Sequence, residues 1–495
     1  MSDSLREAWL RGVAFNPAAP SDVLIRLVGR AAGEVGPLMC EGRELPDAVI
    51  DAALGHPDRG IRRALARNRQ VDPARLAPLA KDPSGIVRWW LAGGPRDRPR
   101  RVRPLPDGII VTLLTAEDGG EDRMLTASEI KAELDSSRQI PQSFYRSMAG
   151  REHPELRIRA TWRWQSLTPV ERAGLLDDPD PAVREAARKA VRALDPERVE
   201  AELPSIGSLS RPHVLGTCAL SPALVEQCFA DGTVEPLTWN PHTPAPAVAR
   251  LARHPEPGIR AKVAARPDLA PELVAELGQD PDAYVRMRVR LHPFPRTWGE
   301  YGAIRLVGHG PDCVCPIIEP DTGPDAEPSA DWFAACAVSA EPVLRRVAAS
   351  RPGLPAELVE ALARDEDEEV RIRLACHHPL APPHLLLDVF VTRPAHRPHL
   401  LTLPAFPRTG LTHLIAHPDP QVRALAAADP ALPDPPVEDP DAAVARAAAA
   451  NPSLSPQALE TLLTDPRTAE GAAANPSLPV PRMHELLDRC LKTVV

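Results

Sequence analysis

Apolar and polar positions alternate along this chain in short helical bursts separated by proline. The stretch "DPDAAVARAAAANPSLSPQALETLLTDP", Asp439 to Pro466, shows the pattern. Leu459, Leu462 and Leu463 lie three and four apart, one apolar face of a short helix. Pro440, Pro452, Pro456 and Pro466 break into a stretch otherwise rich in Ala, Leu, Glu and Gln. Proline costs about 3 kcal/mol inside a helix and almost nothing at its first position. Most of the prolines must therefore stand at helix starts and in turns. On this reading Asp439 is an N-cap and Pro440 the first helical residue, with the helix running to about Ala450. Asn451 precedes Pro452 and ends it. Ser455 caps a second helix that begins at Pro456. Helices of about eight to eleven residues are marginal alone in water, so each unit needs neighbours.

The units recur. An Asp or His, usually followed by Pro, precedes Val or Ile by five residues and Arg by six. This reads "HPDRGIR" at His56, "DPSGIVR" at Asp82, "HPELRIR" at His153 and "DPDPAVR" at Asp178. It reads "HPEPGIR" at His254, "DPDAYVR" at Asp280, "DEDEEVR" at Asp365 and "HPDPQVR" at His417. A ninth copy starts at Asp439, with Ala445 in place of arginine. Pro257 to His292 aligns without gaps on Pro342 to His377. Self-similarity at a short fixed period predicts an all-α solenoid of stacked helix pairs with ~25-residue repeats.

The unit, with "RPDLAPELVAELGQDPDAYVR" and "RPGLPAELVEALARDEDEEVR" as its clearest copies, resembles the leucine-rich repeat variant family, and its Asp-to-Val-Arg spacing resembles HEAT repeats. The resemblance implies a right-handed superhelix of short paired helices, with some second helices of the 3₁₀ type. It covers roughly 10–95, 150–295 and 340–490. The variant family's founding pattern has an N-terminal cysteine cluster for an iron–sulfur centre. Here only Cys40 precedes Cys218, so no cofactor is implied.

Five regions follow: N-terminal repeats at 1–95, an insertion at 96–150, central repeats at 151–295, a second insertion at 296–340 and C-terminal repeats at 341–495. The first insertion opens on the basic run "RDRPRRVR", Arg96–Arg103. It continues with an expected strand at Gly108–Thr115, a turn at Gly119-Gly120 and a capping box at Thr126 and Glu129. The second suggests a short hairpin followed by an acidic loop.

Composition narrows the class. The 495 residues include 60 prolines, and the formal net charge is −9. That balance argues against a nucleic-acid binder. Only five basic residues, Lys81, Lys131, Lys189, Lys262 and Lys492, are lysines, which reads first as the habit of a GC-rich bacterial genome. The opening "MSDSLREAWLRG" has no apolar signal core, so a cytoplasmic location is expected and no membrane partner.

Several residues invite a functional reading. The arginines Arg62, Arg88, Arg159, Arg184, Arg260, Arg286, Arg371 and Arg423 could form a basic ladder. Their regular recurrence favours pairing with the aspartate of a neighbouring repeat instead. His309, Cys313, Cys315 and Cys336 could hold a metal, but C-x-C is not the usual knuckle spacing. Seven histidines between His377 and His417 could form a metal-rich patch, though His378 and His417 precede prolines in turns. Trp89 with Trp90, and Trp162 with Trp164, are expected in the core. No nucleophile elbow, Walker loop, H-E-x-x-H or dinucleotide fingerprint occurs. The sequence thus predicts no catalytic, cofactor or metal site. It predicts a non-enzymatic scaffold that binds a protein or peptide partner along a curved surface. The alternatives are a HEAT-like DNA-binding or DNA-repair protein, with Arg96–Arg103 as its contact, and a metal- or redox-responsive regulator using Cys313 and Cys315.

Overall fold

The structure is a computed structural model that describes residues 2–29, 33–95, 104–117, 125–137, 139–291, 297–308 and 328–491. These residues form short α- and 3₁₀-helices, with no strand among them. Proline occupies the first helical position at Pro154, Pro169, Pro181, Pro257, Pro271, Pro342, Pro420 and Pro456, among others. Its missing N–H costs nothing there. Pro78 lies inside the 3₁₀-helix Pro73–Lys81. Second elements of the 3₁₀ type also occur at Glu235–Thr238 and Thr412–Leu414, while Pro271–Gly278 and Pro456–Leu462 are α-helical.

Three local expectations change. Gly108–Thr115 is not a strand: Asp107–Leu114 is a helix whose Ile109, Ile110, Leu113 and Leu114 are buried. Packing against Pro73–Lys81 and Ala127–Ser137 overrides the β-preference of its branched residues. The N-cap near Asp439 is Asp441, whose carboxylate accepts the N–H groups of Ala443 and Val444 at the head of Ala442–Ala449. In the copy at His153 the repeat register lies two residues earlier, as described below. The capping box at Thr126 and Glu129 forms with both reciprocal hydrogen bonds. The turn at Gly119-Gly120 lies outside the described residues. Of the second insertion, 296–340, the described parts hold the helices Trp298–Gly308 and Ala330–Ala337 and no strand, and the rest of its expected hairpin and acidic loop lies outside them.

The chain divides into two compact units, one of residues 1–141 with 382–495, the other of 142–381. In the first, Pro420–Ala427 packs on Ala442–Ala449, which packs on Ala469–Ala474, which packs on Asp3–Phe15. Val35–Gly42, Arg59–Ala66, Gly85–Gly93 and Ala127–Ser137 continue the stack. In the second, Pro257–Ala264 packs on Ala283–Arg290, and Ala330–Ala337 on Pro342–Ala349 and then Glu368–His377.

One buried amide recurs at the joints. A helix leaves its last four carbonyls without intrahelical partners. Asn475 Nδ2 donates to one of these on the preceding repeat, Ala449 O at 3.0 Å, and to Asn451 O just past the helix end at 2.7 Å. Asn451 does the same to Ala427 O and Asp429 O, both at 2.8 Å. Asn68 reaches Cys40 O and Arg43 O, and Asn240 reaches Leu215 O and Cys218 O. Each Oδ1 accepts the N–H two residues ahead, so the Asn also shapes its own turn. All four are at most 2% exposed. Arg266 takes the same place at the end of Pro257–Ala264, donating to Leu237 O, Thr238 O and Asn240 O. Gln139 donates to Leu91 O and Ala92 O.

Removing the Asn475 amide takes the donor from the buried Ala449 carbonyl and leaves Asn451 O with the Leu454 N–H alone. Asn475→Ala should therefore cost about 2–3 kcal/mol, read as a fall in the denaturation midpoint. Ser477→Ala, on an exposed neighbour, should stay within about 0.5 kcal/mol. Equal midpoints for the two variants would remove the clamp from the account.

Candidate functional site

The repeat arginines are the first candidates, and the structure occupies them. Arg260 places Nε and Nη2 on the Asp280 carboxylate at 2.7 and 3.0 Å. Its Nη1 closes its own turn on His254 O and Pro255 O. Asp280 in turn accepts the Asp282 N–H, and Arg286 Nη1 binds the Asp280 carbonyl at 2.5 Å. Two repeats thus share one aspartate between two arginines. The same cassette recurs with Arg62, Asp82 and Arg88, and with Arg345, Asp365 and Arg371. It recurs with Arg157, Asp178 and Arg184. Arg423 grips Asp439, and there Arg467 binds the Asp439 carbonyl, which supplies the arginine missing at Ala445.

Two members differ from the sequence reading. In the copy at His153 the cassette arginine is Arg157, while Arg159 pairs with Glu155 and lies over the Trp162 ring at 4.7 Å. The His153 start points to Arg159, but Arg157, six residues after Arg151, closes the turn on the Arg151 carbonyl and is the one that meets Asp178. Arg345 was missed because its turn begins at Ser339 instead of Asp or His. Its signal was Asp365, which lies twenty residues on, as Asp280 does from Arg260.

The pairing arginines are only 10–19% exposed at Arg62, Arg157, Arg260, Arg345 and Arg423. They are committed to carboxylates and carbonyls and do not present a phosphate ladder. Hydrogen bonds from Arg260 hold the Asp280 carboxyl below the usual carboxylate range, against an opposing push from burial. Arg157 does the same to Asp178 and Arg423 to Asp439.

The other candidates scatter. Trp164 is buried, but Trp162 is 62% exposed, so the expectation of core packing fails for it. The 3₁₀-helix Thr161–Ser166 carries both, and its tight pitch with a kink at Arg163 places the two rings differently. Trp89 and Trp90 are half-buried and meet edge to face at 5.0 Å, with Arg67 over Trp90. His309, Cys313 and Cys315 lie outside the described residues, as does Arg96–Arg103. Burial pushes the Cys336 thiol up to about 12, with Glu300 adding to the effect, so it is held protonated when a metal would need thiolate. No group of three or more His, Cys, Asp or Glu suited to a metal occurs among the described residues. His56, His254 and His417 each accept the N–H two residues ahead through Nδ1, a turn-shaping role. No helix among the described residues is long and apolar enough to cross a membrane.

A different surface stands out. Of the thirteen exposed large hydrophobic residues among the described ones, six fall between Trp162 and Leu209: Trp162, Val170, Leu176, Val191, Ile206 and Leu209. Val170 is 81% and Leu209 98% exposed. In the helix Pro169–Leu176 and its cap, Val170, Ala173, Gly174 and Asp177 are exposed at spacings of three and four, so its weakly polar stripe faces water. Beside it in the fold, Pro181–Arg192 exposes Arg188 and Lys189 next to Val191. Periodicity alone marks such a stripe as core, which is why sequence reasoning passed over it.

Residues 257–282 match the family model for the leucine rich repeat variant. They span one cassette, from Pro257 past Arg260 to Asp280 and Asp282. No curated protein matches the chain. A solved structure described as an engineered protein from a structural genomics consortium is 12% identical over 99% of each chain, with a TM-score of 0.12, too low to carry an argument. The chain is a helical repeat protein carrying a leucine rich repeat variant motif.

Arg260→Ala should cost about 3 kcal/mol, because it leaves the Asp280 carboxylate buried and unpaired. The pH dependence has a definite sign. Asp178, Asp280 and Asp439 have folded pKa values below the unfolded value of about 3.9, so their contribution is full above about pH 5 and is lost as pH falls through the folded values. Thermal midpoints measured from pH 6 to pH 3 should fall, and Asp280→Asn should flatten the fall. A variant with the wild-type slope would contradict the pairing.

Proposed function

We propose that the protein is a non-catalytic helical-repeat scaffold that binds a protein partner through the surface between Trp162 and Leu209. The concentration of exposed apolar side chains there carries this reading. Contiguous exposed apolar patches on soluble proteins mark interaction sites, and their large aromatic and aliphatic members supply most of the binding energy. Arg188 and Lys189 beside Val191 suit a partner that brings apolar side chains flanked by carboxylates. The cassettes support the scaffold role: they hold the repeats rigidly from inside, so outer faces are free to vary.

The arginine row gives DNA no phosphate ladder, so the binding reading rests on protein chemistry. The test uses the full chain as bait in an extract of its native cells, against a Val170→Glu, Leu176→Glu double variant with an unchanged thermal midpoint. A partner retained by the wild type should fall at least about tenfold on the double variant. A Val338→Glu control, exposed but outside the stretch, should retain it. Equal retention by the double variant would overturn the assignment, and a nuclease-sensitive catch would point to nucleic acid instead.

A further inference from the structure

Asp3–Phe15 and Ser21–Val28 seat on Ala469–Ala474 and Val480–Leu491, more than 440 residues away in sequence. The joint is of the same kind as those between consecutive repeats. Asn16 Nδ2 donates to Ala473 O at 2.9 Å and Asn475 O at 2.7 Å, the clamp that Asn475 itself makes on Asn451 and Ala449. Gly12 stands four residues before Asn16, as Gly471 stands four before Asn475. A Cβ on Gly12 would land on the Glu470 carbonyl oxygen, and one on Gly471 on the Arg446 carbonyl oxygen. The early segment is built as the next repeat after the late one.

The seat is also selective. Trp9 Nε1 donates to Leu463 O at 2.9 Å, and Arg6 Nε to Cys490 O at 3.0 Å. Arg26 reaches Asp488 at 2.6 Å, and His484 lies 3.1 Å from Asp22. Beneath them Val13, Ala14, Ala473, Met483, Leu486 and Leu487 are fully buried. Left uncovered, this face would expose a continuous apolar surface. At the other repeat joints a short connection links the two sides. Here no local connection does, and the contacts alone hold the joint.

We propose that this joint is a self-recognition surface, whose seat on Ala469–Ala474 and Val480–Leu491 takes the Asp3–Val28 segment of a second copy with the same contacts it makes to the chain's own. Exchange of an identical element between copies keeps every native contact, so the two arrangements differ only in the concentration of the competing segment. Dilute folding closes the joint within one chain, and concentrated folding closes it between copies.

The test takes two full-length copies carrying different tags, unfolds them in denaturant, and refolds them together over about a hundredfold range of concentration. Mixed species are read by sequential tag capture and by light scattering. The expected result is a mixed fraction that rises with refolding concentration and persists on dilution after folding. Asn16→Ala in both copies weakens the closed and the exchanged joint alike, so it should leave the mixed fraction near that of the wild type but shorten its persistence on dilution about tenfold, through loss of one buried amide's bonds, and Gly12→Leu should abolish mixing. If Gly12→Leu gives no cooperative unfolding transition, Asn16→Ala decides. Absence of mixed species at every concentration, or a persistence on dilution unchanged by Asn16→Ala, would overturn the proposal. The Val170→Glu, Leu176→Glu variant should exchange as the wild type does, which separates this surface from the partner-binding one.

Discussion

Short helices carry a penalty that the rest of this structure is organised around: an eight-residue helix leaves half of its backbone carbonyls without intrahelical partners. Buried carbonyls without partners are costly, and proline turns bring too few donors to satisfy them. The buried amides of Asn451, Asn475, Asn68 and Asn240 meet this need by reaching back to the preceding repeat. Each repeat therefore completes the hydrogen bonding of its neighbour. Stability becomes a property of joints, as expected for linear arrays.

The arginine–aspartate cassettes add a second, charged layer to some of those joints. They come in pairs of repeats, because one aspartate serves two arginines: Asp280 takes a bidentate guanidinium on its carboxylate and a second guanidinium on its carbonyl. Where no arginine stands twenty residues before, as at His56 and His254, a histidine shapes the turn through Nδ1 instead. With the cassette cations consumed internally, the proposed binding rests on the apolar residues that stay exposed. The stretch from Trp162 to Leu209 is where they gather.

Order in space also departs from order in sequence. Within the unit of 1–141 and 382–495, the clamp relay runs from Asp429 through Asn451 and Asn475 to Asn16. The same amide geometry therefore serves joints 24 residues apart and one 459 residues apart.

What the sequence determined by itself was local. Pro456 at a helix start, Ser455 as its cap and the Thr126–Glu129 box follow from backbone and side-chain preferences acting over three or four residues, and they fold as read. The recurrence of Val-Arg after Asp or His was enough to show a helical repeat protein. Tertiary structure decided whatever depends on a neighbour about twenty or more residues away. Asp439 was read as a cap and proved to be an arginine's partner, with Asp441 capping in its place. The start at His153 points to Arg159, and Asp178 selects Arg157 instead. Ile109 and Ile110 have the residue preference of a strand, yet their helical neighbours bury them as a helix. Whether the stripe of Pro169–Leu176 faces core or water, and whether Asn16 finds Ala473, are settled by which surfaces meet, and periodicity carries no record of that.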